Sequence, residues 1–183
     1  MLFAPDTEDT LEFVVALGNT HPSASKSGDD ELSTPSELTA LLDAHGYSGR
    51  FDRDLAELDE VKQARDQLRS FWSLDRDAIA LEVNGMMREA NALPYLVRHD
   101  NFDWHLHATA QDAPLAERIR VEAALALMDV VRSDEVHRMR VCDAPDCGGL
   151  LVDLSRNGSK RFCSIRCGNR MNQIAYRERS SLA

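Results

Sequence analysis

Cys142-Asp-Ala-Pro-Asp-Cys147 and, fifteen residues further on, Cys163-Ser-Ile-Arg-Cys167 hold all four cysteines of the 183-residue chain. The spacing is C-x4-C…C-x3-C. Two short-spaced pairs with a long separation form the pattern of a tetrahedral zinc site, and four soft thiolates suit that ion. Two disulfides or four free thiols are the alternative. The opening residues Met1-Leu2-Phe3-Ala4-Pro5-Asp6 carry neither a basic region nor a long apolar run. No stretch reaches the roughly 18–20 consecutive apolar residues that a membrane span needs. A cytoplasmic location is therefore expected, where thiols stay reduced and metal is favoured over disulfide. The expected cofactor is one Zn2+ per chain, with Cys142, Cys147, Cys163 and Cys167 as ligands.

The residues between the pairs suit a treble-clef-like finger. Cys142–Cys147 would form a knuckle, with Pro145 stiffening its turn. Leu150-Leu151-Val152-Asp153-Leu154 reads as a strand, Asn157-Gly158 as a hairpin turn, and Lys160-Arg161-Phe162 as the returning strand. Ser164 can cap a helix running to about Arg179, whose first amides would face the thiolates. A module of about 40 residues buries too little apolar surface to fold unaided. Metal binding, worth about 10–16 kcal/mol in zinc-finger peptides, would supply the difference. Replacing Cys163 by Ser is expected to unfold this tail and leave the rest largely intact.

At 100° per residue, Arg166, Arg170, Gln173 and Arg177 fall on one stripe of that helix. Cys167, Met171, Ile174 and Ala175 lie on an adjacent apolar arc expected to face the module. A stripe of arginines is either a solvated face or a surface for phosphates. Arg156, Lys160 and Arg161 in the hairpin could extend it, since guanidinium groups fork onto phosphate oxygens.

Upstream, the pattern is mostly helical. A helix is expected after Asp6-Thr7, through Leu11, Val14, Val15 and Leu17, although Phe13–Leu17 could also be a short strand. Residues 20–33, rich in Ser, Gly, Asp and Pro, read as a mobile loop. Thr34-Pro35-Ser36-Glu37 is a capping-box start. From Asp52 or Asp54, Leu55, Leu58, Val61, Ala64, Leu68 and Phe71 recur at steps of three and four. Two more helices are expected, from Asp75 to Asn91 and from Ala113-Pro114 to Ser133. Between them, residues 95–108 read as a hairpin. A two-residue turn at Asp100-Asn101 would pair Val97 with Trp104. It would bury the face made by Tyr95, Val97, Phe102, Trp104 and Leu106. His105 and His107 would then share the polar face. They could hold a metal together, but two histidines make a weak site. The segment His137–Val141 reads as a linker.

The formal charge of −10 argues, as an average, against nucleic acid. The average conceals a division. Residues 1–140 hold 14 Lys and Arg against 27 Asp and Glu, whereas residues 141–183 hold 7 against 4. The fold class expected is α+β and mostly helical. An acidic helical domain with a small β-hairpin would cover residues 1–138, and a treble-clef-like zinc finger residues 139–183.

The tail also carries a family signature. Cys167-Gly168-Asn169-Arg170 spells CGNR, preceded by Phe162-Cys163-Ser164 and the Cys142/Cys147 pair. Leu151…Asp153-Leu154-Ser155-Arg156-Asn157 fits the segment before it. The chain resembles the CGNR zinc-finger family. Asn19-Thr20 after an apolar run, Thr34-Pro35…Leu38 and the length of the body resemble the ABATE domain that precedes this finger. Such proteins carry the description "putative stress-induced transcription regulators". In one respect the chain departs from the family, since Met171-Asn172-Gln173-Ile174 stands where more basic residues usually follow.

The resemblance implies that the finger contacts DNA and that the body senses a small ligand or a protein partner. Arg156, Lys160, Arg161, Arg166, Asn169, Arg170, Gln173 and Arg177 are the candidate nucleic-acid contacts. One finger offers few phosphate contacts, so a homodimer would raise affinity. The alternative is a protein-interaction adaptor with a purely structural finger. No membrane partner is expected. No Gly-rich phosphate loop, nucleophile elbow or HExxH motif occurs, and no enzymatic activity is expected.

Overall fold

The apolar run after Asp6-Thr7 is a helix rather than a strand. Helix α1 covers Pro5–Asn19, with Pro5 at its first position and Leu11, Phe13, Val14 and Leu17 buried. The computed structural model describes residues 2–25, 27–99 and 103–181. The capping box forms as its sequence predicts. At the start of α2 (Pro35–Ala44), the Thr34 hydroxyl accepts from Glu37 N at 3.3 Å. The Glu37 carboxylate accepts from Thr34 N at 2.9 Å. Asp54 caps α3 (Leu55–Ser70) and Asp75 caps α4 (Arg76–Glu89). The three-and-four rhythm of α3 buries Leu58, Val61, Ala64 and Leu68, and Phe71 in the following 3-10 turn is buried with them, whereas Leu55, in the first turn, lies outside the packed face and is exposed.

Helix α5 (Leu115–Arg132) is the axis of the body and packs against α1, α3 and α4. Its inward residues include Ala123, Ala124 and Ala126, whose small side chains let three helices approach it closely. Ile119, Leu127 and Val130 fill the space between them.

Two expectations about the body change. Residues 20–25 and 27–33 are irregular but anchored. Leu32 is in the core, Glu31 N donates to Thr20 O, and the Asp30 carboxylate grips the buried Arg65 guanidinium at 2.7 and 3.0 Å. A loop held by a core leucine and a bidentate ion pair is fixed, whatever its composition.

The second change concerns the hairpin. Strands β1 (Tyr95–Val97) and β2 (His105–His107) pair antiparallel, but Val97 faces His105 and Tyr95 faces His107. The expected register is off by one residue, because the connection has odd length where a two-residue turn would be even. The proposed turn Asp100-Asn101 and Phe102 lie outside the described residues. The slip exchanges the faces. Tyr95, Val97, His105 and His107 now share one side. The predicted apolar face is not buried, with Trp104 64% and Leu106 43% exposed.

Beyond α5, the supposed linker is a strand. Strand β3 (Met139–Val141) pairs antiparallel with β4 (Leu150–Val152), Arg140 opposite Leu151. Residues 160–162 do not form the predicted returning strand. The other side of β4 is already taken. Asn19 bonds both backbone groups of Leu150 there, and on the β3 side the Trp72 indole donates to Leu151 O at 2.9 Å. The Lys160 amide goes instead to the fully buried Asp153 carboxylate, which also accepts from Ser155 N and Oγ. Met139, Leu150 and Val152 join the apolar core of the helices. The chain ends in α6 (Ile165–Ser181), entered through a bond from Cys167 N to the Ser164 hydroxyl at 3.3 Å. The fold is thus mostly helical with two small antiparallel sheets among the described residues, and all four cysteines lie toward the C-terminus.

Candidate metal centre and nucleic-acid interface

Three loops converge on the cysteines. The Ala144–Cys147 turn is closed by Cys147 N donating to Ala144 O, with Asp146 in the left-handed region at φ 59°. The knuckle is tied to the segment before α6 by Asp143 N donating to Arg161 O. Helix α6 then brings in Cys167. The Cys147, Cys163 and Cys167 sulfurs lie 3.7, 3.8 and 3.7 Å apart, and all four sulfurs lie within 4.8 Å of one another. Sulfurs at the corners of a tetrahedron, each about 2.3 Å from zinc, stand about 3.8 Å apart. The donor set and its spacing fit that ion.

The electrostatics make the same demand. Burial, then the Cys142 and Cys147 sulfurs, push the Cys163 thiol up, and burial pushes Cys147 up. For Cys167, burial is outweighed by Ser164 and the neighbouring sulfurs, which draw it down to about 7. Sulfurs this close ionise together only when a cation shares their charge. Cys142 and Cys167 are buried, and Cys163 N donates to Cys142 Sγ at 3.4 Å, so part of the anionic shell is already solvated by backbone.

Two residues that support this centre carry little sequence signal. A Cβ on Gly149 would stand 2.6 Å from Cys163 Sγ and 3.3 Å from Cys147 Sγ, so only glycine leaves room for the sulfurs. Asp153, read beforehand as part of a strand, organises the turn between the cysteine pairs. Arg138 and Arg140 brace that turn through the carbonyls of Asp153, Ser155, Gly158 and Lys160.

All eight candidate nucleic-acid contacts are exposed. They are not equivalent. The Arg161 guanidinium pairs with Asp143 at 2.8 Å, Arg170 donates to Pro145 O at 2.6 Å, and Lys160 Nζ reaches Val152 O at 3.5 Å. Arg156, Arg166 and Arg177 carry no hydrogen bond or ion pair among the described residues. Asn169, Gln173 and Arg177 line a shallow groove along α6 with Asn172 and Tyr176. The apolar arc packs only at its start. Cys167 is buried and Met171 partly so, whereas Ile174 is 38% exposed. From Asn172 to Ser180 only Ala175 is even half-buried, because α6 has passed the edge of the module.

The body holds a cavity of about 290 Å³ between α1, α5 and the hairpin. His105 and His107, expected on the polar hairpin face, line it together with His99, Tyr47 and Glu122. His99 was not expected there; the signal for it is the alternation Tyr95, Val97, His99 once the register is right. Burial, then His105, His99 and Arg118, push His107 down to about 4. Burial pushes Glu122 up against the opposing pull of Tyr47 and Arg118. Among the described residues, no helix is long and apolar enough to cross a membrane.

Two family models match the chain. Residues 138–180 match the CGNR zinc finger. Residues 11–134, more than half of the chain, match ABATE, described as "Putative stress-induced transcription regulator". No curated protein matches the chain. The chain therefore belongs to the ABATE family and ends in a CGNR zinc finger.

Proposed function

We propose that the chain is a zinc-dependent transcription regulator of the cytoplasm, without enzymatic activity. Cys142, Cys147, Cys163 and Cys167 hold one Zn2+, and the finger of residues 139–183 contacts DNA. The body of residues 1–138 senses a ligand or partner. The observation that carries this reading is α6, which leaves the module with Arg166 and Arg177 exposed and without protein partners among the described residues. A helix of 17 residues is about 25 Å long, and its width suits a major groove. The acidic body repels the same polyanion, so binding by one chain is weak and salt-sensitive, and a homodimer would multiply the contacts. Fluorescence anisotropy of a labelled duplex with zinc-loaded protein tests this. Affinity that falls steeply with salt supports it; no salt-sensitive binding at low ionic strength overturns it.

A second reading is favoured by one specific observation. Ile165, Ile174 and Tyr176 on α6 are 84%, 38% and 65% exposed, as a protein-docking helix would have them. In that case the finger is an adaptor. Its partners would be retained by zinc-loaded protein and lost after zinc removal, while duplex DNA would bind neither form.

A further inference from the structure

The Nε2 atoms of His99, His105 and His107 form a closed triangle with sides of 3.1, 3.2 and 3.0 Å. Each Nε2 of a neutral imidazole carries either a proton or a lone pair. A hydrogen bond needs one of each. Around three atoms, two kinds cannot alternate, so at least one side of the triangle always joins like to like. Hydrogen bonding among the rings therefore leaves at least one side of the triangle unexplained.

The outer nitrogens sharpen this. His105 Nδ1 lies 2.7 Å from the Asp103 carbonyl oxygen, a group that only accepts. The proton of His105 is thus on Nδ1, and its Nε2 presents a lone pair to the triangle. His107 Nδ1 faces the Glu122 carboxylate at 3.7 Å, which favours the same tautomer. Carbonyl and carboxylate partners on the far nitrogen are how metal-bound imidazoles are held and oriented. The 3.0 Å side between His105 and His107 then brings two lone pairs together, and a cation between them makes that favourable.

We propose that His99, His105 and His107 bind one first-row divalent transition-metal ion, in a centre separate from the four cysteines. The distances suit it. With metal–nitrogen bonds of about 2.05 Å, tetrahedral angles put the nitrogens about 3.3 Å apart and octahedral ones about 2.9 Å. The observed sides fall between. Three protein ligands leave coordination positions open, and the three rings line the cavity between α1 and α5. Glu122, half-buried in the cavity wall, supplies countercharge. The Tyr47 hydroxyl is buried in the same wall beside Glu122 and makes no hydrogen bond of proper geometry among the described residues. This centre stands independently of whether the finger binds DNA.

The test is metal content after saturation with Zn2+ or Co2+ and removal of the free ion. Wild-type protein is expected to retain about two equivalents per chain, and His105→Ala/His107→Ala about one. In the cobalt form, the lost equivalent carries only weak visible absorption. The thiolate-to-cobalt charge-transfer band of the other centre persists. His99→Gln, a milder change on the exposed hairpin, should weaken retention of the same equivalent with the circular dichroism unchanged. About one equivalent in wild-type protein, or two in the folded double variant, overturns the proposal.

Discussion

The Asn19 carboxamide and the Leu150 backbone close a two-bond ring. Asn19 Nδ2 donates to Leu150 O at 3.0 Å, and Leu150 N donates to Asn19 Oδ1 at 2.7 Å. A side chain at the end of α1 thereby does what a neighbouring strand would do for β4. The carboxamide has both a donor and an acceptor in the spacing of a peptide group, so no hydrophobe of similar volume can replace it.

Asn19→Leu is expected to destabilise the chain by about 2–3 kcal/mol, since it removes two bonds and leaves both Leu150 backbone groups unsatisfied in a part-buried site. Thermal unfolding checks the size. The decisive measurement is the rate at which a chelator removes zinc, which should rise, because β4 leads directly from the cysteine knuckle.

Gly149→Ala should damage the cysteine centre without touching a ligand. Its methyl would stand 2.6 Å from Cys163 Sγ, well inside contact distance, and the sulfur cannot retreat without leaving the tetrahedron. Zinc content measured after dialysis should fall, while helix content stays near wild type. Full zinc retention would show that the knuckle can shift to make room.

Cys163→Ser tests how far the finger and body share stability. From sequence, the body would be indifferent to it. In the structure, Met139, Leu150 and Val152 lie in one apolar core with Leu17 and Leu68. Each such side chain contributes about 1.5–3 kcal/mol when fully buried. Loss of zinc should therefore lower the melting temperature of the helices as well. Calorimetry of the variant should show a displaced main transition, not merely a missing small one.

How much of this was legible in the sequence depended on whether the cause was local. The rhythm of Leu58, Val61, Ala64 and Leu68 is local, and α3 follows it. The Thr34–Glu37 box is local too. The cysteine spacing carries its own chemistry, so the cluster was legible before its geometry. The hairpin was not, because Tyr95–Val97 alternates equally well in two registers and the connection's parity decides between them. That single residue hid the histidine triangle by placing His99 on the other face. What holds the outer edge of β4 was hidden for a different reason. It is the Asn19 side chain, 131 residues away, and no local pattern announces it.

Asp30 and Arg65 give a pH dependence whose sign can be worked out. Burial would raise the Asp30 carboxyl, but bonds from Arg65, Leu32 N and Lys62 outweigh it and hold it well below the usual carboxylate range. The folded state therefore binds this proton less readily than the unfolded chain, where the group titrates near 3.9. Its contribution is fully present above about pH 4 and is lost as pH falls toward the folded value. Asp30→Asn leaves the Arg65 side chain, only 3% exposed, with Asp66 as its remaining carboxylate. The expected cost at neutral pH is about 3 kcal/mol. Wild type and variant should converge in urea stability as pH drops below 4. Parallel curves would mean that another group dominates acid unfolding.

The two kinds of arginine on α6 and its approach should separate under mutation. Arg166 and Arg177 have no protein partner among the described residues, so Arg166→Gln/Arg177→Gln should leave zinc content and melting temperature unchanged. If both meet phosphates, the slope of log affinity against log salt should shrink by about 0.9 per residue, so by nearly 2 for the pair. The loss should be the same for duplexes of any sequence, because phosphates carry no sequence information. Arg170 is different, since it donates to Pro145 O and holds the knuckle against α6. Arg170→Gln should speed zinc release as well as weaken DNA binding. An unchanged salt slope in the Arg166/Arg177 variant would remove the phosphate reading of the stripe and leave Ile174 and Tyr176 as the features that explain why α6 stands exposed.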